Sequence, residues 1–143
     1  MGDDQGVYLS DDPEWEKTDL QWNVVPWGFR KMLNWICNRY PGLPVYVTEN
    51  GCAVNEPDEA TALNDGFRCR FLESYIGAMR QAILEDGRNV KGYFCWSLMD
   101  NFEWAFGYSK RFGLIRCDYK TLERMPKKSY YHYRDIIRSS KAS

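Results

Sequence analysis

The stretch Val45-Tyr46-Val47-Thr48-Glu49-Asn50-Gly51 decides the fold. It follows Pro41-Gly42 and Pro44, and its β-branched and aromatic run is too short for a helix and apolar enough for a buried strand. A carboxylate and an amide stand where that strand stops. Further on, Val90 to Trp96 has the same character, dominated by Val, Tyr, Phe and Trp.

Helical patterns lie between and around these two runs. One begins near Pro26, a residue suited to the first helical turn, and directs Phe29, Leu33, Ile36 and Tyr40 inward at three- and four-residue steps. A longer one is capped by Asn64 or Asp65, carries Phe67, Phe71, Tyr75, Met79 and Ile83 on its buried face, and closes at Asp86-Gly87. A last helix is predicted over Lys127 to Arg138, with Tyr130, Tyr133 or Arg134, and Ile137 inward. Residues 1–22, Asn55 to Asp65 and Leu98 to Lys110 read as loops, and Phe112 to Tyr119 as one arm of a small hairpin.

Helix, strand, helix, strand, helix is the order of parallel α/β structure, in which each helix returns the chain to start the next strand. A barrel and a doubly wound sheet both fit. Neither strand is followed by a glycine fingerprint of the G-x-G-x-x-G or G-x-x-x-x-G-K type, so a nucleotide fold lacks its phosphate cradle.

Composition removes other classes. The 143 residues are 44% hydrophobic and 27% charged, which excludes a disordered or fibrous chain. Nineteen basic against twenty acidic residues, interspersed, give a net charge of -1, so nucleic acid is not an expected partner. No apolar run is long enough to span a membrane. Five cysteines without a C-x-x-C pair indicate buried or incidental thiols rather than a disulfide framework or a zinc site, and a single histidine, His132, argues against a His triad or a His metal site. No cofactor or metal is expected.

The aromatic content of 16% leaves two readings open, a dense core or a surface that stacks on flat ligands. The run Trp96 to Tyr108 poses the same choice locally. Its rings could be core, or could stack on the apolar face of a sugar while Glu103 accepts hydrogen bonds from adjacent hydroxyls. Glu49 is either a loop acid or a functional group at the C-terminal end of a strand, where α/β barrels carry their active sites.

Three motifs in order then resemble one family: Thr48-Glu49-Asn50-Gly51, the Trp96-to-Trp104 segment, and Tyr108-Ser109-Lys110-Arg111-Phe112-Gly113-Leu114 ending in Asp118-Tyr119. They are similar to the C-terminal part of the retaining β-glycosidases of glycoside hydrolase family 1. Val25-Pro26-Trp27-Gly28 brings the pattern nearest the animal branch, lactase-phlorizin hydrolase and the cytosolic β-glucosidases. The resemblance implies an α/β fold, the C-terminal portion of a (β/α)8 TIM barrel, incomplete in this chain. It would form a single segment, with a loop over 1–22, barrel units over 23–138 and a tail over 139–143.

By the same resemblance Glu49 is the catalytic nucleophile, Glu103 and Trp104 bind the outer hydroxyls of the sugar, Trp96 is the platform beneath its ring, and Phe112 is a wall residue near its hydroxymethyl group. Asn50 is structural. The Glu103-Trp104 pair implies an unphosphorylated β-glycoside. A retaining glycosidase also needs an acid/base carboxyl. The family carries it in a Thr-x-Asn-Glu-Pro motif upstream of the nucleophile, whereas Asn55-Glu56-Pro57 follows Glu49, and Glu56 is read as a solvated loop acid. The chain is therefore expected to be a piece of a longer enzyme, inactive alone, whose exposed barrel edges favour self-association. The alternatives are a non-catalytic, klotho-like binding module and an inactive remnant.

Overall fold

The computed structural model describes residues 12–140. Tyr8, with the acidic start of the chain, and residues 141–143 of the tail lie outside the described residues.

Pro26 opens α1 (Pro26–Arg39), whose inward residues are Phe29 and Leu33; Tyr40, expected inward, is its exposed C-cap. The strands are β1 (Val45–Asn50) and β2 (Val90–Cys95), and they pair in parallel, with Val45 opposite Val90, Tyr46 opposite Gly92, Val47 opposite Tyr93 and Asn50 opposite Cys95. The register shifts between Val47 and Asn50. Glu49 thus sits inside the end of β1 rather than just past it, and β2 stops one residue short of Trp96.

Two departures from expectation fall between the strands. The polar segment after Asn55 contains a short helix, α2 (Glu59–Leu63), capped by Asp58, whose carboxylate accepts from the Thr61 amide at 2.7 Å. Five residues are too few to show a 3.6 period. The long helix, α3 (Gly66–Leu84), is buried on more than its expected face. Phe71 and Tyr75 are buried as the four-residue repeat predicts, Phe67, Met79 and Ile83 are half-buried, and Leu72, Ile76, Ala78 and Ala82 are buried as well.

The reason is that α3 lies between two other helices, α1 and α4 (Lys128–Ser140). One side joins Phe29, Leu33, Val47 and Val90, with the Phe71 and Tyr75 rings stacked at 4.3 Å. The other joins Leu72 and Ile76 to Leu114, Tyr130, Tyr133 and Ile136. Each fully buried side chain of this size contributes about 1.5–3 kcal/mol. In α4 the inward residue near the C-terminus is Ile136; Ile137, the expected one, is 39% exposed.

The ends of α1 and α3 are tied by Arg30, which makes two hydrogen bonds to the Asp86 carboxylate, with Asn34 donating a third at 2.7 Å. These bonds hold Asp86 well below the usual carboxylate range. Gly87 turns the chain into β2 at a φ of 67°, where a side chain would be strained.

The expected hairpin is β3 (Ile115–Cys117) against β4 (Arg124–Pro126), antiparallel and shorter than Phe112 to Tyr119. The parallel pair has no third strand among the described residues, and no closed barrel forms. One face of the pair packs on the helices, while Tyr46 and Phe94, beside Gly92 on the other face, are 55% and 58% exposed.

Candidate active site

The C-terminal ends of β1 and β2 bring the chemistry together. The Trp96 amide donates to the Asn50 carbonyl at 3.0 Å, and the Tyr93 hydroxyl donates to Asn50 Oδ1 at 2.6 Å. Asn50 is thereby committed to holding the strand end, while Glu49 is exposed. Gly51 follows directly beneath the Trp96 carbonyl, where a β-carbon would collide with backbone.

After a cis peptide between Trp96 and Ser97, the chain is stitched to the segment preceding β3: Leu114 donates to Ser97 at 2.9 Å and Ile115 to Leu98 at 2.9 Å. Asp100 is the anchor. Its carboxylate accepts from the Gly113 and Cys117 amides, from Arg111 at 2.9 Å and from Lys127 at 3.2 Å. One residue later, Asn101 Nδ2 donates to Glu103 Oε2 at 2.9 Å, which orients that carboxylate. A single 3-10 turn over Trp104–Phe106 then presents Trp104 at a φ of 43° with 83% of its surface exposed.

All five expected site residues, Glu49, Trp96, Glu103, Trp104 and Phe112, line one cleft of about 350 Å³. Phe112 is buried at its base, with Trp22 tilted against it at 6.1 Å. The rings of the Trp96-to-Tyr108 run are not core: Trp96, Phe102, Trp104, Phe106 and Tyr108 are all exposed. Thr18, Trp22 and Asn23 also line the cleft and were not anticipated. They lie in or beside the stretch read as a loop over 1–22, where no period marks a residue as facing a site.

Glu56 corrects the sequence reading. Its side chain is 1% exposed and is bound by Lys127 at 2.5 Å, Arg68 at 3.2 Å and Arg116 at 3.4 Å. It belongs to a buried charge cluster in which Asp65, instead of capping α3, takes Arg68 and the Ser129 hydroxyl. Cations brought from distant points of the chain draw this acid out of solvent, so it is no solvated loop residue, and its oxygens are already engaged. Burial lowers the Lys127 ammonium below its ordinary value, helped by the Arg68 charge and opposed by Asp100 and Glu56.

The cysteines are free, and burial pushes the Cys52 and Cys95 thiols up to about 12, which removes them as thiolates at neutral pH. Among the described residues no cluster of three His, Cys, Asp or Glu is arranged to hold a metal ion, and no helix is long and apolar enough to cross a membrane. The cleft offers carboxylates and rings, which suits recognition of a polyhydroxylated ring and attack by a carboxylate.

The chain is similar to known proteins. Residues 2–142 match the family described as glycosyl hydrolase family 1. Beta-glucosidase 4 of Oryza sativa subsp. japonica is 47% identical over 119 residues, which is 80% of this chain and 24% of that protein. Lactase-like protein of Homo sapiens is 42% identical over 129 residues, 88% of this chain and 22% of that protein. Among solved structures, the family 1 β-glucosidase from Thermotoga maritima in complex with isofagomine lactam superposes with a TM-score of 0.86 at 39% identity, covering 96% of this chain and 31% of that one. The same organism's β-glucosidase in complex with glucoimidazole gives 0.83 at 40% identity, covering 90% and 29%. The chain spans about a quarter of the length of the curated relatives it matches.

Proposed function

The chain belongs to glycosyl hydrolase family 1, and from that premise we propose that its cleft receives the sugar of an unphosphorylated β-glycoside, with Glu49 as the nucleophile of a retaining double displacement. The observation that carries this is the convergence of Glu49, Trp96, Glu103, Trp104 and Phe112 on one cleft. The Thermotoga maritima β-glucosidase in complex with glucoimidazole, 40% identical, supports the choice of ligand.

In this reading the sugar ring lies on Trp96, with Phe112 at the cleft base near its hydroxymethyl group. Glu103, oriented by Asn101, accepts hydrogen bonds from the outer hydroxyls, and the Trp104 indole N–H donates to a neighbouring one. A Glu49 oxygen attacks the anomeric carbon as the bond to the leaving oxygen breaks, giving a covalent glycosyl-enzyme through an oxocarbenium-like transition state. Water then attacks the same carbon, loses a proton to the solvent, and releases Glu49 as a carboxylate.

The proton for the leaving oxygen comes from neither of the cleft's two carboxylates. Glu49 is assigned to attack and Glu103 to hydroxyl recognition, and Glu56 is held in its ion pairs. The chain by itself is therefore expected to leave unactivated β-glycosides unhydrolysed, whereas a leaving group that departs as a stable anion needs no such proton.

That difference supplies the test. A 2,4-dinitrophenyl 2-deoxy-2-fluoro-β-glucoside should release one equivalent of dinitrophenolate and leave one fluoroglucosyl unit on the peptide containing Glu49, detected by mass spectrometry, and Glu49→Gln should stay unlabelled. A label on another residue, or none, overturns the assignment; a purely binding role predicts none.

A further inference from the structure

The cleft has two walls of different origin. Glu49 and Gly51 come from the end of β1, whereas Glu103 and Trp104 come from the segment following β2. Besides the pairing of β1 with β2, a second tie between those walls lies beneath the cleft. Glu56, seven residues past Glu49, and Asp100, three before Glu103, both point their carboxylates at one ammonium group, that of Lys127 at the start of α4. The contacts are 2.5 Å and 3.2 Å, and all three side chains are almost wholly buried.

We infer that Lys127 is a positioning residue that fixes the glycone-binding wall relative to the proposed nucleophile. As a claim about the cleft's function it rests on the reading above; as a claim about the two segments it stands on geometry alone. Both carboxylates carry further bonds, so the ammonium joins two braced groups rather than two loose ones. Asp100 accepts from the Gly113 and Cys117 amides and from Arg111. Glu56 accepts from Arg68, whose guanidinium also holds the Cys52 and Arg111 carbonyls, immediately after Gly51 and immediately before Phe112.

A lone surface ion pair would contribute little, but here neither partner can turn to water instead, so removing the ammonium leaves two buried carboxylates repelling each other, each held only by its own arginines. They separate, and the segments bearing them separate with them. Burial tends to drive the proton off Lys127, and the two carboxylates oppose that by stabilising the charged form.

The test is hydrogen exchange on the 143-residue chain, followed by mass spectrometry, for the parent and for Lys127→Met. The amides at 51–56 and at 98–104 should both lose protection, by about tenfold or more, while those of α1 and α3 keep theirs. Loosening of one segment only, or of neither, overturns the inference. Should Lys127→Met not fold cooperatively, Glu56→Gln carries the test, since it removes a charge without changing shape. It should raise exchange at 98–104, across the ammonium from the altered residue, and unchanged exchange there overturns the inference. Titration with glucoimidazole adds the functional arm. Lys127→Met should bind it about 10²-fold more weakly, as expected for a misplaced wall, whereas Lys127→Arg, which keeps the charge, should recover part of the loss. If the parent chain does not bind glucoimidazole, the proposed ligand fails while the exchange data still decide the joint.

Discussion

The Trp96 amide donates to the Asn50 carbonyl at 3.0 Å, laying the last rung between the two parallel strands one residue beyond Glu49. Through that rung, Trp96, the proposed ring platform, and Glu49, the proposed nucleophile, are joined by paired backbone. Gly51 makes it possible, because any β-carbon there would strike the Trp96 carbonyl. Gly51→Ala should therefore cost about 1–3 kcal/mol or more, as overpacking does, and should also push Trp96 away from Glu49. Urea denaturation checks the first effect. Fluoroglucoside labelling of Glu49, slowed beyond what the loss of folded protein explains, checks the second.

Glu103 is oriented by Asn101 yet keeps its other oxygen for a ligand, so its charge can be tested apart from its shape. Glu103→Gln should leave the fold and its stability unchanged and weaken glucoimidazole binding by about 1.5–3 kcal/mol, the range for hydrogen bonds to a charged group. Calorimetric titration measures it. Undiminished affinity would move the hydroxyl-binding role elsewhere in the cleft.

Arg68 holds the buried cluster from within α3, with Asp65, Glu56 and two carbonyls as partners and no exposed surface. Arg68→Met fits the space but leaves Asp65 as a buried charge without its cation and takes one of three cations from Glu56. A loss of about 3–5 kcal/mol is expected in chemical denaturation, against about 1–3 kcal/mol for Ser129→Ala, which removes one neutral donor to Asp65. Equal losses would show that the guanidinium is not the centre of the cluster.

The two strands and the Glu49 position were legible because a buried strand writes itself locally, in a β-branched and aromatic run bounded by proline and glycine. The cleft was legible for a different reason: the family resemblance implies one site for Glu49, Glu103 and Phe112, which line a single cleft. The charge cluster was not legible. Lys127 and Glu56 are 71 residues apart, and nothing in the residues around Glu56 distinguishes an acid drawn inward by distant cations from one left in water. The second buried row of α3 stayed hidden for a similar reason, since Leu72 and Ile76 are buried by α4 and Leu114, far along the chain. Tyr46 and Phe94 erred in the opposite sense. Their strand pattern predicts burial, but burial requires a covering layer that the described residues do not provide.

That open face has a consequence for the chain in solution. Tyr46 and Phe94 lie on either side of Gly92 on an uncovered sheet face, next to strand edges with no further partner among the described residues. Such surfaces associate. Sedimentation should show concentration-dependent species above the 16.9 kDa monomer, and Tyr46→Glu with Phe94→Glu should return the monomer. A monomeric parent at all concentrations would show that this face is protected by other means.

Alkaline stability should report on the core beside the cleft. Burial raises the Cys52 and Cys95 thiols from the ordinary 9.0 to about 12. From pH 9 upward the unfolded chain gives up these protons while the folded chain keeps them. The unfolded state then binds fewer protons, so stability that is intact below pH 9 falls as pH rises toward 12, by about 1.4 kcal/mol per pH unit per thiol. Tyr93, also raised by burial, adds to the loss above its ordinary value of 10.0. Lys127 acts in the opposite direction: its folded value lies below 10.5, so the unfolded chain holds the extra proton there and the balance shifts toward the folded state until pH 10.5 is passed. The thiols outnumber it, and the net slope should be downward. Cys52→Ala separates the contributions. Cys52 is fully buried, so the variant should start less stable at pH 7 through lost packing, yet lose stability more slowly than the parent above pH 9. Urea midpoints measured across that window decide it, and parallel slopes for the two proteins would mean that the Cys52 thiol titrates alike in the folded and unfolded chain.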